Sequence, residues 1–162
     1  ATPGEFRRSQ NWIGPQGSTP VTAAYVPPPV DAMNECLYDW EKFVHVRDAM
    51  PDLVQCAIMH QQFEAIHPFL DGNGRVGRLL ITLFLIERKR LNQPLLYLSA
   101  YIEEHRQDYY DLLQRVRTHG DWNAWIRYFI TGVTRIATEA AKQSAELLGI
   151  REKFRALVKD KP

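Results

Sequence analysis

The sequence predicts an all-α fold, a helical bundle around a central buried helix with a small β-hairpin flap in front of it. Three observations lead there. From Asp31 onward, apolar residues recur at spacings of three and four, the period of helices packed on a core. Chain breakers crowd instead into the first thirty residues, where five prolines lie between Pro15 and Pro29 and Gly4, Gly14 and Gly17 interrupt any regular element. The 162 residues, 45% hydrophobic and 24% charged, suffice for one domain with its own core and are not the composition of a disordered chain.

Residues 1–30 read as a flap and a Pro-rich extended segment, in which Asn11 to Gly14 pairs with Val21 to Val26 as a short hairpin. Residues 31–150 carry five helical runs. Met33, Cys36, Leu37, Trp40 and Val44 form the first. Leu53, Val54, Ala57, Ile58, Ala65 and Ile66 form the second, opened by Pro51 where a helix start tolerates proline. The third follows Gly74 and is apolar around nearly its whole circumference between Leu79 and Ile86, which marks it as the central helix. Ile102, Tyr109, Leu112, Leu113 and Val116 form a fourth, capped by Ser99 and closed at Gly120. Trp122, Trp125, Ile126, Phe129, Ile130, Val133, Ala137, Ala140 and Ala141 form the fifth, ending near Gly149. Residues 151–162 are a charged tail or linker, a solvated helix face at most. With Ala1 in place of an initial methionine, that tail reads like a cut through a longer protein.

A net charge of +1 supplies no general attraction to nucleic acid or to an anionic membrane. No stretch approaches the roughly 18 to 20 apolar residues of a membrane span, and no signal peptide opens the chain, so a soluble cytoplasmic protein is expected. Cys36 and Cys56 lie in apolar helical patterns without metal-ligand spacing and are expected as buried free thiols. His45, His60, His105 and His119 read as surface or packing residues with no assigned role.

Residues 67–78, His-Pro-Phe-Leu-Asp-Gly-Asn-Gly-Arg-Val-Gly-Arg, are different in kind. Three glycines, two arginines, a carboxylate and an imidazole between two apolar helices are a poor core and a good phosphate cradle. The N–H groups of Gly72, Asn73 and Gly74 can converge because glycine accepts positive φ, and they meet the positive end of the following helix. Arg75 and Arg78, three apart in its first turn, emerge on one face beside this nest. Gly77 inside the helix implies close approach by a ligand or a neighbouring helix. Asp71 suits a Mg²⁺ that takes one protein oxygen and otherwise waters and phosphate oxygens. His67, with an ordinary pKa near 6.5, can accept a proton from a hydroxyl. These parts compose a phosphoryl or nucleotidyl transferase. Gly72, Gly74 and Gly77 also spell the dinucleotide fingerprint, but that needs a preceding strand and a parallel sheet, and the preceding run here is helical. The catalytic-loop motifs of a protein kinase are missing too.

His67 to Arg78 matches the signature H-P-F-x-[DE]-G-N-G-R-x-x-R at every fixed position, so the chain resembles the Fic domain family (filamentation induced by cAMP). Glu5 to Gly14 and Tyr25 to Pro29 look like that family's flap and the turn after it, and Tyr109-Tyr110 like its adenine-side tyrosine pair. The resemblance implies a Fic-type helical bundle and a protein adenylyltransferase that moves AMP from ATP to a Ser, Thr or Tyr hydroxyl of a target protein. It implies His67 as the base, Phe69 as a core anchor for the loop, Asp71 as the Mg²⁺ ligand, Gly72, Asn73 and Gly74 as the anion nest, and Arg75 and Arg78 as the clamp on the β and γ phosphates. Asn11, Trp12, Ile13 and Gly14 would dock the target as an added strand. The phosphorylating Doc-type members alter the glycine-rich part and lack the second arginine, whereas Gly74 and Arg78 are both present here. The inhibitory motif [ST]-x-x-x-E-[GN] has no full match. Ser99 to Glu103 misses its last position, which leaves an inhibitory helix upstream, on a partner, or lacking. A homo-oligomer stays open, as do two other functions: a regulator that binds nucleotide without transfer, and removal of AMP from a modified protein.

Overall fold

The protein's structure, a computed structural model, describes residues 4–94 and 96–159, so 160–162 of the expected tail lie outside the described residues. It consists of α1 (Val30–His45), α2 (Asp52–Ile66), α3 (Asn73–Glu87), α4 (Leu98–Glu104), α5 (Arg106–His119) and α6 (Trp122–Lys159). The all-α expectation holds.

The central helix is α2, not α3. It packs against α1, α3 and α6, and nine of its fifteen residues are buried. Cys56, Ala57, Met59, Phe63 and Ile66 join the apolar core there, while α3 leaves Leu79 57% and Leu83 51% exposed. Apolar content pointed to α3 because the period cannot see that buried polar side chains on α2 find partners inside the fold. Gln55 Nε2 donates to the Phe43 and Val46 carbonyls at the end of α1, and His60 Nε2 is 2.9 Å from the Tyr109 hydroxyl. Indole groups from two neighbours close the package, Trp40 donating to the Met59 carbonyl and Trp125 to that of Ala57. Each large apolar side chain buried around α2, such as Phe129 or Ile81, contributes about 1.5 to 3 kcal/mol.

The fourth run is two helices. The chain breaks at His105, whose ring stacks 4.3 Å from that of Tyr101 and whose Nδ1 lies 3.0 Å from the Tyr101 carbonyl. Ser99 therefore lies within α4, which is capped by Tyr97, and α5 ends on Gly120 as expected. The last run does not stop at Gly149: α6 continues to Lys159 through strong helix formers, with no residue buried from Ala137 to Arg155. Cys56 is buried and Cys36 only half-buried, both as free thiols.

The flap is a single antiparallel bridge rather than a hairpin of strands. Ile13 N–H donates to the Tyr25 carbonyl (2.8 Å) and Tyr25 N–H to that of Ile13 (3.0 Å). The next hydrogen-bonded positions on either side pair Asn11 with Pro27 and Pro15 with Ala23, and neither proline has an N–H to give. The segment is held to the bundle by Arg7, only 2% exposed. Its backbone N–H donates to the Pro68 carbonyl (2.8 Å), Nε to the His67 carbonyl (3.1 Å) and Nη2 to the Pro28 carbonyl. Arg7→Ala should leave the helical circular dichroism intact while making residues 4–29 the first site of proteolysis, because the two side-chain ties to distant segments, at the His67 and Pro28 carbonyls, are lost together. Unchanged protease resistance of that segment would contradict the assignment.

Candidate active site

The end of α2 delivers His67. It is the C-cap of the helix, in the left-handed region at φ 51° and ψ 58°, with its N–H donating to the Phe63 carbonyl. The half-buried imidazole has an Nδ1 with no hydrogen-bond partner among the described residues. Burial lowers its pKa to about 4, and the charges of Arg117 and Arg7 act in the same direction against the nearby Glu64 carbonyl. At neutral pH the ring is unprotonated.

The bend that follows is braced from inside by Asn73, 2% exposed. Its Oδ1 accepts the Phe69 N–H (2.8 Å) and its Nδ2 donates to the Phe69 carbonyl (2.7 Å). Asn11 Nδ2 donates to the same carbonyl (3.0 Å), and the Phe69 ring packs against Phe6 and Phe63. Gly72 then turns the chain at φ 87°, where a side chain would be strained, and caps α3. Its own N–H donates to Asp71 Oδ1 (2.6 Å). Of the three N–H groups expected from sequence to converge on an anion, that of Gly72 is thereby already bonded. The N–H groups of Asn73, Gly74 and Arg75 have no acceptor among the described residues, as the first turn of a helix leaves them.

Asp71 and Arg75 form an exposed ion pair (3.1 Å) beside these donors. Arg78 is half-buried, and its Nη1 lies 3.2 Å from where a Cβ on Gly74 would stand. Arg75 and Arg78 also line one wall of a cavity of about 440 Å³ that reaches Leu79, Thr82, Tyr97 and Glu103. The approach implied at Gly77 is made by a neighbouring helix: an added Cβ would lie 2.6 Å from Glu64 Oε1 and 3.2 Å from both His60 Cε1 and Phe63 Cδ1.

The structure separates the tyrosine pair. Tyr109 is 3% exposed with its hydroxyl on His60, whereas Tyr110 is 49% exposed and stands edge-on to Tyr109. In the flap, Trp12 folds back so that its indole N–H donates to the Ser18 carbonyl, and Ile13 carries the single bridge to Tyr25. Gly14 lies tight against Ser18 and the Ala23 backbone.

Three residues with no role expected from sequence belong to this site. Arg7 fixes the His67 carbonyl. Arg117 stacks 3.8 Å over the Tyr25 ring and reaches the Glu64 carbonyl (3.4 Å), while Tyr25 donates to the Ala65 carbonyl (2.8 Å). Glu64 is 6% exposed with Oε1 lacking any hydrogen-bond partner among the described residues. A signal for Glu64 was available: His60, Glu64 and His67 recur at helical spacing, a stripe of titratable side chains along one face of the run. Arg117 had none, because only the packing of α5 brings it to the flap.

Gly77→Ala should destabilise the fold by about 1 to 3 kcal/mol through overpacking, although alanine in an open helix would gain about 1 kcal/mol. Adding Glu64→Ala should restore most of the loss in denaturant titrations. A stable single variant would show that the α2–α3 contact does not require glycine.

The chain matches known proteins over this same region. The sequence model of the Fic/DOC family matches residues 1–85, just over half of the chain. A protein adenylyltransferase Fic of Aedes aegypti is 32% identical over 127 residues, which are 77% of this chain and 22% of that protein. The protein adenylyltransferase fic-1 of Caenorhabditis briggsae is 34% identical over 125 residues, again 77% of this chain and 22% of the relative. The chain thus spans about a fifth of the length of these relatives. Among solved structures, a Fic family protein from Desulfovibrio desulfuricans G20 superposes with a TM-score of 0.75 at 28% identity, over 87% of this chain and 42% of that one. From the matched signature, the length of sequence shared and the common helical fold, the chain belongs to the Fic/DOC family.

Proposed function

We propose that this chain is the catalytic part of a protein adenylyltransferase, moving AMP from ATP to a Ser, Thr or Tyr hydroxyl of a target protein. The observation that carries this reading is the meeting, at one bend, of an unprotonated half-buried imidazole and a helix start with three unpartnered N–H groups and two arginines. The names of the relatives support it. A nucleotide-sensing regulator would have no use for such a base.

The residues fit the expected magnesium. Asp71 offers an exposed carboxylate already oriented by the Gly72 N–H, and the described residues hold no cluster of three or more His, Cys, Asp or Glu that would build a self-contained metal site. A single protein oxygen is the donor set of a cation shared with a polyphosphate, where it would neutralise charge on the leaving pyrophosphate. Arg75 would release Asp71 and turn to the phosphates. The N–H groups of Asn73, Gly74 and Arg75 hold phosphate oxygen at the helix start, and Arg78 fixes the triphosphate so that the α phosphorus faces the acceptor. His67 takes the hydroxyl proton as the new O–P bond forms and the bond to pyrophosphate breaks. The open edge at Ile13 would give the target segment a short template. Tyr110 is the better placed of the two tyrosines for the adenine.

His67→Ala should lower transfer of labelled AMP by about 10² to 10⁴ fold and leave ATP affinity largely unchanged. Arg78→Ala should instead weaken ATP binding by about 1.5 to 3 kcal/mol, the scale of a charge-assisted hydrogen bond. Equal labelling by wild type and the His67 variant, read by mass spectrometry of a lysate treated with ATP, would defeat the proposal. The base must be unprotonated to act, and burial holds its pKa at about 4. Activity should therefore persist as pH falls through 6.5, the ordinary histidine value, and fail only as the acid limb near 4 is approached. An acid limb centred at 6.5 would contradict a base held in this environment.

A further inference from the structure

Among the buried ionisable groups that take no part in the proposed transfer, the Glu64 carboxyl lies directly behind the first turn of α3. Oε1 of Glu64 lies 3.8 Å from the position a Cβ on Gly74 would take, and Nη1 of Arg78 lies 3.2 Å from that same position. Carboxylate and guanidinium therefore lie near one another at the glycine edge of the helix whose start would hold the phosphates, with no hydrogen bond closing between them among the described residues. We propose that Glu64 is a positioning residue for the nucleotide: it serves Arg78 as an internal counter-charge, and Arg78 passes from it to the triphosphate as Glu64 takes up a proton. This rests on the reading of the site as an ATP site, and it adds a proton to the binding step.

The physical reason is charge balance in a place water does not reach. Glu64 is 6% exposed and its Oε1 has no hydrogen bond among the described residues, so its charge depends on neighbouring cations. Those cations are Arg78 on α3 and Arg117 on α5. Once Arg78 turns to a triphosphate, Glu64 loses a counter-charge and gains a polyanion on the far side of the helix start. Both changes favour the neutral acid. The other titratable groups facing it do not change charge near neutrality: burial holds His60 on the same helix at about 4, His67 at its end at about 4, and the Tyr109 phenol of α5 well above its usual value. Glu64 itself is raised by burial to about 7, with Arg78 and Arg117 opposing that rise. Of these facing groups, it is the one poised to bind a proton when nucleotide arrives.

The role acts through Arg78, so the test reads protons and affinity rather than loss of activity alone. ATP with excess Mg²⁺ is titrated calorimetrically into the wild-type chain at pH 7 and pH 8, in buffers of different ionisation enthalpy, and into Glu64→Gln under the same conditions. The wild type should take up protons on binding, and its Kd should rise by up to about tenfold between pH 7 and 8. The Gln variant, isosteric and unable to titrate, should bind with no such uptake and a nearly flat pH dependence. Comparing the two chains removes the nucleotide's own titration. Should the variant fail to fold, difference infrared spectra of the wild type decide: a neutral carboxylic acid C=O band must grow on adding ATP, and its absence overturns the inference. Equal proton uptake by the two chains also overturns it, even if AMP transfer is intact. Failure of the wild type to bind ATP at all removes the adenylyltransferase reading, and this one with it.

Discussion

The candidate site depends on the six-residue bend His67 to Gly72 between α2 and α3 being held rigid. A bend that reverses the chain between two packed helices exposes backbone groups that neither helix can satisfy. Asn73 answers this from below, bonding both the N–H and the carbonyl of Phe69. Arg7 answers from outside by bonding the carbonyls of His67 and Pro28. Those two side chains turn a flexible glycine-bearing loop into a fixed frame. His67 in a left-handed conformation and the unpartnered donors of α3 then face the site without further adjustment.

The same frame explains why the helix beneath the site is so polar for a core helix. His60 and Glu64 lie along one face of α2 and His67 caps its end, and each meets a different neighbour. His60 binds Tyr109 and is purely internal. Glu64 presses on Gly77 and lies near Arg78. His67 emerges at the end with its carbonyl tied and its Nδ1 without a hydrogen-bond partner among the described residues. Perturbed ionisation runs along this stripe from core to surface because burial dominates at each position. Structural and chemical residues are thus continuous here, and a packing glycine such as Gly77 belongs to both.

The flap shows the opposite economy. A single bridge at Ile13 and Tyr25 would not survive alone in water. It persists because Tyr25 is bound to α2 through its hydroxyl and to α5 through the overlying Arg117. The flap is therefore positioned by helices rather than by its own ladder, and its height above the site depends on packing around Arg117. The long exposed end of α6 has no such support among the described residues and projects away from the bundle core.

The amino-acid sequence by itself determined the helical class, the approximate extent of most helices and the twelve residues around which the site is built, because helical period and glycine chemistry are local properties. It also contained the reason the flap is only one rung long, since Pro15 and Pro27 occupy the flanking donor positions. What only the tertiary structure decided is which helix is central, that Gly77 accommodates Glu64, that Tyr109 faces inward while Tyr110 faces out, and that Arg7 and Arg117 reach the site from distant segments. Such facts depend on which polar groups meet across helices far apart in the chain, and no spacing within one helix records the partner it will find.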